Sequence, residues 1–470
     1  QKFSNECLFS KIYLLFLKQV LNNKQMFVIM IKIFNYWRKR MAEKSFGQSV
    51  AKGSAILLIA NLAVKIIGAL FKIPLQHLIG DEGMGYFNAA YNIYAGLFVV
   101  ATAGLPVAVS KMVSESLSTG NVKETKRIYN VAYIIFLIIG LLGSSALFFF
   151  ADAWTAYIKM PAANFTVMAI SPSILFVSLM SVYRGFFQGI SDMIPTAISE
   201  VIEAAGKLII GYLLAYLFIS RGLNIAAAGA VTGVTAGSLF SLCVLILIYA
   251  KKKKKIYSSL DNQNTNVSNR GTILKKLLAI AIPVTISASV FTLTNVIDSA
   301  LIVRNLESIQ HLLTEDRVVL YGRYTGKAVV LYNMPPTLVM SLCLALVPAI
   351  ARAYVKEDKK TVRVTTTQSL KSAYIFALPC SVGLATLASP ILNILFKTDD
   401  ASLLLQLLAP AVVFVSMVLV TNAILQATGN VFVPVMNIVM GGIAKVIINY
   451  VLVSNPSINI NGAPIGTTVC

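Results

Sequence analysis

Acidic residues are scarce in this chain. Asp and Glu number 19 against 40 Lys and Arg, and charged residues of both signs make up only 13% of the 470 residues. Histidine is scarcer still: His77 and His311 cannot build a metal site alone. The five cysteines, Cys7, Cys243, Cys343, Cys380 and Cys470, form no CxxC pair. Neither a zinc ribbon nor a redox dithiol is written into the chain, and Cys243, Cys343 and Cys380 read as packing residues inside apolar runs. A hydrolase elbow, a phosphate loop, a zinc-protease motif and a dinucleotide fingerprint are all missing. The unusual residues are instead charges inside apolar runs, which suits a carrier better than an enzyme. No cofactor and no metal are called for.

What the chain has in quantity is apolar sequence: 57% hydrophobic residues and a mean hydropathy of +0.76. Apolar runs of about 20 residues are the mark of transmembrane helices and are too long for barrel strands. The expected fold is therefore an all-α integral membrane protein. Net charge is +21, with the lysines clustered between the apolar runs. Membrane orientation and anionic lipid account for such clusters better than nucleic acid does.

Residues 1–49 read as a basic N-terminal extension that fits poorly. It starts at Gln1, its apolar pieces are broken by Lys11, Lys18, Lys24 and Lys32, and it ends in Arg38, Lys39, Arg40 and Lys44 around Met41. No signal-peptide cleavage pattern is convincing there. Spans are expected near 53–73, 86–110, 129–150, 167–188, 194–219 and 224–250, making a first six-helix lobe over 50–250. A basic linker, 251–276, carries Lys251 to Lys255. Spans near 277–303, 327–351, 372–396, 403–427 and 431–453 begin a second lobe over 277–470. Loops after even spans hold most of the basic residues, including Lys111, Lys126, Arg127 and Lys359. The positive-inside rule then places the N-terminus in the cytoplasm.

The two lobes echo each other. QGISDMIPTAISEVIEAAGKLIIGY (188–212) matches QATGNVFVPVMNIVMGGIAKVIINY (426–450): Gln188 and Gln426 each stand 19 residues before a lysine, Lys207 and Lys445, and a tyrosine follows five residues on. Gly104-Leu105-Pro106 pairs with Leu346-Val347-Pro348, and Gly229 to Gly233 with Gly462 to Gly466. All three matches keep helix order. Six helices per half is an even number, which makes the halves parallel copies. On this reading the chain stops at Cys470 about one-third into its twelfth helix, a truncation that a longer natural reading frame would support.

Ionisable groups at membrane depth are costly and usually face a protein interior or a wet cavity. The first span carries Asn61, Lys65 and Lys72 at offsets of four and seven, near one helical face, without an acid. Lys65 lies about 18 Å along the axis from Gly53, past mid-membrane. Snorkelling explains Lys72; Lys65 is harder to explain so. Two unpaired lysines in a cavity attract an anion such as a phosphate. The fifth span offers Glu203 and Lys207 at i, i+4, either a self-neutralising pair or, with Lys445, a symmetric basic lining. Glu200 is left over to bind a coupling cation or pair with another helix. Asp298, on a span with Ser287, Thr294, Asn295 and Ser299, either is solvated or holds a cation or proton. Arg184 and Arg352 read as inside anchors. Tyr91, Asn92 and Tyr94 read equally as packing or as sugar contacts.

Several motifs in order resemble a known family. These are Lys65 to Pro74 (KIIGALFKIP), Leu78 to Gly85 (LIGDEGMG), Gly104-Leu105-Pro106 with Ser110-Lys111, and Arg184 to Gly189 (RGFFQG). Over about Ser45 to Cys470 the chain resembles the polysaccharide-exporter branch of the MATE/MOP flippase superfamily, with its sporulation-protein and lipid II flippase subgroups. The resemblance implies two pseudo-symmetric six-helix lobes around a V-shaped cavity, alternating access, and an undecaprenyl-pyrophosphate-linked saccharide as cargo for peptidoglycan or another polymer. Basic residues of the first span face the cavity in the lipid II flippases, and Lys65 and Lys72 match them by position, as lysines without arginine's bidentate fork. It also implies a bacterial plasma-membrane protein. The odd N-terminus is a departure, as are the missing final helices where the family commonly has fourteen spans.

The expected function is thus a flippase, passive or ion-coupled. Lys65, Lys72, Lys207, Lys445 and Asn61 hold the diphosphate, while Glu200, Glu203 and Asp298 set ion coupling or lobe pairing. Expected partners are the lipid-linked oligosaccharide, the bilayer and a coupling cation; no nucleic acid is expected, and a monomer is favoured. The alternative is a MATE-like multidrug/cation antiporter, whose cavity would favour acids. A non-transporting scaffold for wall or spore-coat synthesis is a third class, which leaves the buried charges without a task.

Overall fold

The computed structural model describes residues 46–118, 120–258, 268–306, 314–355, 357–430 and 432–470. Among them every regular element is helical. Of these, the residues up to Ser54 fall in one unit, and Ala55–Cys470 forms a second, compact one. The expected extension lies outside the described residues up to residue 45.

The first helix, α1 (Phe46–Thr102), runs through what the sequence suggested was a loop between two spans. It kinks at Gly80, whose backbone (φ 65°, ψ −169°) is open to glycine alone among common residues. The segment around Asp81 therefore stays helical. The chain bends at Ala103 and continues as α2 (Gly104–Ser118). Next come α3 (Val122–Phe149), capped by the Asn121 side chain accepting from the Glu124 amide, the short α4 (Ala151–Tyr157), and α5 (Asn164–Gly189). Pro195 opens α6 (Ile194–Gly206). Its missing N–H is free of cost at a helix start. The helix then widens into a π turn, Lys207–Gly211, before α7 (Tyr212–Phe218).

Helix α8 (Leu223–Ser258) packs against both α5 and α6. Its Gly229, Gly233 and Gly237, four residues apart, line the face that meets α7, the π turn and the end of α6: a Cβ on Gly237 would lie 2.5 Å from the Glu203 carbonyl, and one on Gly233 would run into Gly211. Small residues at this spacing let membrane helices touch backbone to backbone. That approach fixes Glu203 and Lys207 on the far side of α6.

The second half starts with α9 (Arg270–Leu306), which packs on α2 and on α16 (Phe432–Val453). Between them, α10 (Thr314–Arg323) passes through a second π turn, Tyr324–Ala328, into α11 (Val329–Tyr332). Asn333 breaks the chain before α12 (Met334–Val355), because Pro335 and Pro336 cannot continue the preceding hydrogen-bond ladder. The span expected at 327–351 is thus two pieces. The one expected at 372–396 is α13 (Lys359–Thr386) and α14 (Ala388–Phe396), bent by 77°. The remaining helices are α15 (Ser402–Ala427), α16 and α17 (Gly462–Val469), the last where a twelfth helix was expected.

Seven of the described helical segments are long and apolar enough to cross a bilayer, and an eighth counts if the bent pair is one span. This is fewer than the eleven expected, partly because the first two merge into Ile59–Leu117. Large apolar side chains point outward along them, as with Ile134, Ile138, Leu142 and Phe149 on α3 and Met436, Met440, Ile443 and Ile447 on α16. A hydrocarbon surround, not water, suits such faces. Cys243 also faces outward, contrary to the packing role expected of it.

One buried cluster joins the two halves, from Phe71, Leu75, Ile79, Met84 and Phe87 of α1 to Val318, Tyr321 and Tyr324 and on to Leu404 and Leu408. Gly322 sits where a Cβ would run into the Asp81 carbonyl oxygen. Gly322→Ala should lower stability by about 1–3 kcal/mol, the usual cost of overpacking. A thermal melt in detergent checks this; an unchanged melt would mean that α1 and α10 have room to separate.

Candidate functional site

A cavity of about 490 Å³ opens between α1, α5, α6 and the α11–α12 break. It gathers Asn61, Lys65, Lys72, Tyr91 and Tyr94 from α1, Arg184 from α5, and Glu200, Glu203 and Lys207 from α6 and its π turn. Asn333, Met334 and Thr337 close it from the second half. Most of the charges singled out in the sequence therefore meet in one place. Lys65 is exposed, whereas Lys72 and Lys207 are half-buried.

The pairings inside differ from those the spacing suggested. Glu203 pairs with Arg184, at 2.9 Å from Nη2 to Oε2, rather than with Lys207 one turn away. Arg184 also donates from Nε to Ser199 Oγ at 2.9 Å. Read from sequence as an inside anchor, Arg184 has a side chain that is 13% exposed and lines the cavity. Lys207 turns to aromatic rings, its ammonium 4.3 Å from the centre of Tyr91, 5.3 Å from Phe71 and 5.9 Å from Phe87. A cation over ring faces is held by their quadrupoles. The reason is local: Gly211 on the π turn has no side chain, and the Phe71 ring packs against it. Glu200 keeps one buried oxygen, Oε2, without a hydrogen-bond partner among the described residues.

Lys445 does not join this group. It lies buried in α16, 7% exposed, and is not among the residues lining the cavity. Its helix packs on α9 of its own half, near the buried Asn305 and Asn449. The sequence echo gives Lys207 and Lys445 like positions in their helices, not a shared cavity. The side chains of Asp298, Ser287, Thr294, Asn295, Ser299 and Arg352 lie outside the described ones.

A second polar cluster, unforeseen from the sequence, ties the halves together. Lys327, 5% exposed, sits 2.8 Å from Asp81 Oδ1 and 2.9 Å from Asp400 Oδ1, and donates to Thr398 Oγ1 at 3.1 Å. Arg323 Nε bridges the same two carboxylates at 3.1 and 3.0 Å. Gln76 donates to Asp81, Asn88 to Thr325 at 3.0 Å, and Asn92 to Tyr321 at 2.8 Å. Asp81 and Asp400 fall between expected spans. Arg323 and Lys327 stand around the start of an expected span, with nothing nearby to name their partners.

Asp400 lies between α14 and α15, outside the spans. Burial pushes its carboxyl up, but the hydrogen bond and charge of Lys327, with Thr398 and Arg323, outweigh burial and hold it below the usual carboxylate range. A carboxylate lowered by folding contributes fully above its ordinary value of about 4, and the contribution is lost as pH falls through the lowered one. The melting temperature should stay level from about pH 7 to 5 and drop below about pH 4, with a smaller drop in Asp400→Asn. Scanning fluorimetry checks this; equal drops in both proteins would take Asp400 out of the account.

Bilayer-length helices, a cavity between two halves and charges gathered within it define a membrane transporter. A family model described as polysaccharide biosynthesis protein matches residues 50–354, and one described as MatE matches residues 331–451. The chain belongs to the polysaccharide biosynthesis protein family, in the polysaccharide-exporter branch of the MOP superfamily. It is similar to stage V sporulation protein B of Bacillus subtilis (strain 168), 26% identical over 417 residues, covering 88% of this chain and 80% of that protein. It is also similar to lipid II flippase MurJ of the same organism, 25% identical over 425 residues, covering 86% of this chain and 77% of that one. Among solved structures it resembles an inward-facing multidrug resistance MATE family transporter, with a TM-score of 0.71, 15% identity and coverage of 88% and 94%. The outward-facing conformation of a MATE family transporter gives a TM-score of 0.60 at 16% identity, with coverage of 90% and 91%. These structural likenesses concern the fold.

Proposed function

We propose that the protein moves an undecaprenyl-pyrophosphate-linked saccharide across a bacterial plasma membrane by alternating access. The observation that carries this reading is the gathering of Lys65, Lys72, Lys207 and Arg184 in one cavity, where Glu200 and Glu203 are the acids among the described lining residues. A surplus of cations in a cleft attracts a diphosphate, while a lipid tail can stay in the bilayer. Similarity to a lipid II flippase supports the cargo class. On this reading residues 50–250 and 277–470 are the two lobes, 251–276 is a cytoplasmic linker and the N-terminus is cytoplasmic. Glu200, Glu203 and Asp298 serve ion coupling, and Lys445 acts within the second lobe, apart from the headgroup. The protein works as a monomer.

The rival cargo, an organic cation, draws support from the unpartnered Glu200 oxygen and the rings of Tyr91 and Phe71. Nanodisc-held protein titrated with undecaprenyl pyrophosphate and, separately, with tetraphenylphosphonium separates the two. Saturable binding of the lipid alone is expected; binding of the cation alone would end the anionic reading.

A further inference from the structure

Lys207 has an unusual place for a residue that greets an anion. Its ammonium stands over three rings from α1, closest to Tyr91 at 4.3 Å, with Phe71 and Phe87 fully buried behind. Glu203 lies one turn earlier on the same helix, and Glu200 lines the same cavity. Ring faces beside carboxylates form the kind of site that binds a quaternary ammonium ion. Here the cation over the rings is the ammonium of the chain's own Lys207.

We propose that Lys207 is a specificity-determining residue: its ammonium occupies a latent organic-cation site and bars such cations from the cavity. The inference deepens the reading of this cavity as an anionic-cargo site and rests on it. Two effects act together. The side chain takes up the space over the rings, and its charge repels a second cation while adding to the attraction for a phosphate. Lys72, 6.0 Å from the centre of Tyr91, shares the same ring at longer range. Removing Lys207 should therefore uncover the site in part, and removing both lysines should uncover it further.

The test uses full-length protein in nanodiscs, with tetramethylammonium and undecaprenyl pyrophosphate as probes. Tetramethylammonium is compact enough to sit over the rings once the lysine terminus is gone. The parent should bind it weakly, Lys207→Ala about tenfold more tightly, and Lys72→Gln/Lys207→Ala more tightly again. Adding Tyr91→Ala should remove the gain. Thermal melts identify variants that fold, and Lys207→Ser provides a second small replacement if Lys207→Ala does not. A folded variant that gains no tetramethylammonium binding, yet loses affinity for the pyrophosphate lipid, overturns this inference and leaves the anionic-cargo reading standing. A gain that survives Tyr91→Ala places the cation elsewhere and also overturns it. A parent that binds tetramethylammonium and not the lipid overturns both.

Discussion

Lys327→Met should loosen the contact between the two halves by about 3 kcal/mol. Removing one member of a buried ion pair strands its partners, at a cost of about 3–5 kcal/mol, and the part-exposed carboxylates here place the effect at the lower end. Asp81 and Asp400 would be left facing each other, with Arg323, itself 35% exposed, as the remaining cation they share among the described residues. The readout is a cysteine at Ala89, which is 5% exposed and shares the α1 face with Gly85 and Asn92. In a background without native cysteines, a water-soluble maleimide should label Ala89→Cys about 100-fold faster when Lys327 is methionine. Lys327→Arg, which keeps the charge, should restore most of the protection. An unchanged rate would mean that the apolar contacts of Met84, Phe87 and Val318 hold the halves together unaided.

The second large effect belongs to the cavity. Lys72→Gln/Lys207→Gln should weaken binding of undecaprenyl pyrophosphate by about 100-fold, from two charge-assisted contacts at about 1.5 kcal/mol each. Isothermal titration in nanodiscs at low and high salt measures it. The parent should lose affinity as salt rises, and the double variant should lose less, because fewer charges remain to be screened. A double variant that binds as the parent does would remove both lysines from the headgroup site.

Much of the cavity was legible in the sequence because helical periodicity is a local property. Asn61, Lys65 and Lys72 share a face by spacing alone, and Glu200, Glu203 and Lys207 stood out as charges in an apolar run. The partners were not legible, because they sit on other helices. Nothing near Glu203 in sequence announces Arg184, and nothing near Lys207 announces Phe71, Phe87 and Tyr91. The i, i+4 rule proposed a Glu203–Lys207 pair that tertiary packing overrode, since the α8 glycines and Gly211 set how α6 meets its neighbours. Lys445 shows the limit of repeat symmetry: an equivalent place in a helix carries a residue into the interior without deciding which cavity it lines.

The contact between the halves was hidden for a different reason. Acids next to glycine, as in Gly80-Asp81-Glu82-Gly83, ordinarily mean a solvated turn. Here the single left-handed residue Gly80 kinks α1 without ending it. Asp81 is thereby held against Lys327 and Arg323, more than 240 residues on. The breaks at Asn333 and Leu387 also escaped the hydropathy reading, which counts apolar residues and does not register a 77° bend.

Transport itself gives the most direct test. Proteoliposomes carrying a fluorescent undecaprenyl-pyrophosphate saccharide, quenched from outside by dithionite, report the rate at which the headgroup crosses. Translocation by the parent is predicted, with its loss in folded Lys65→Gln/Lys72→Gln/Lys207→Gln protein. Equal rates in the two would contradict a cationic cavity as the carrier of the headgroup.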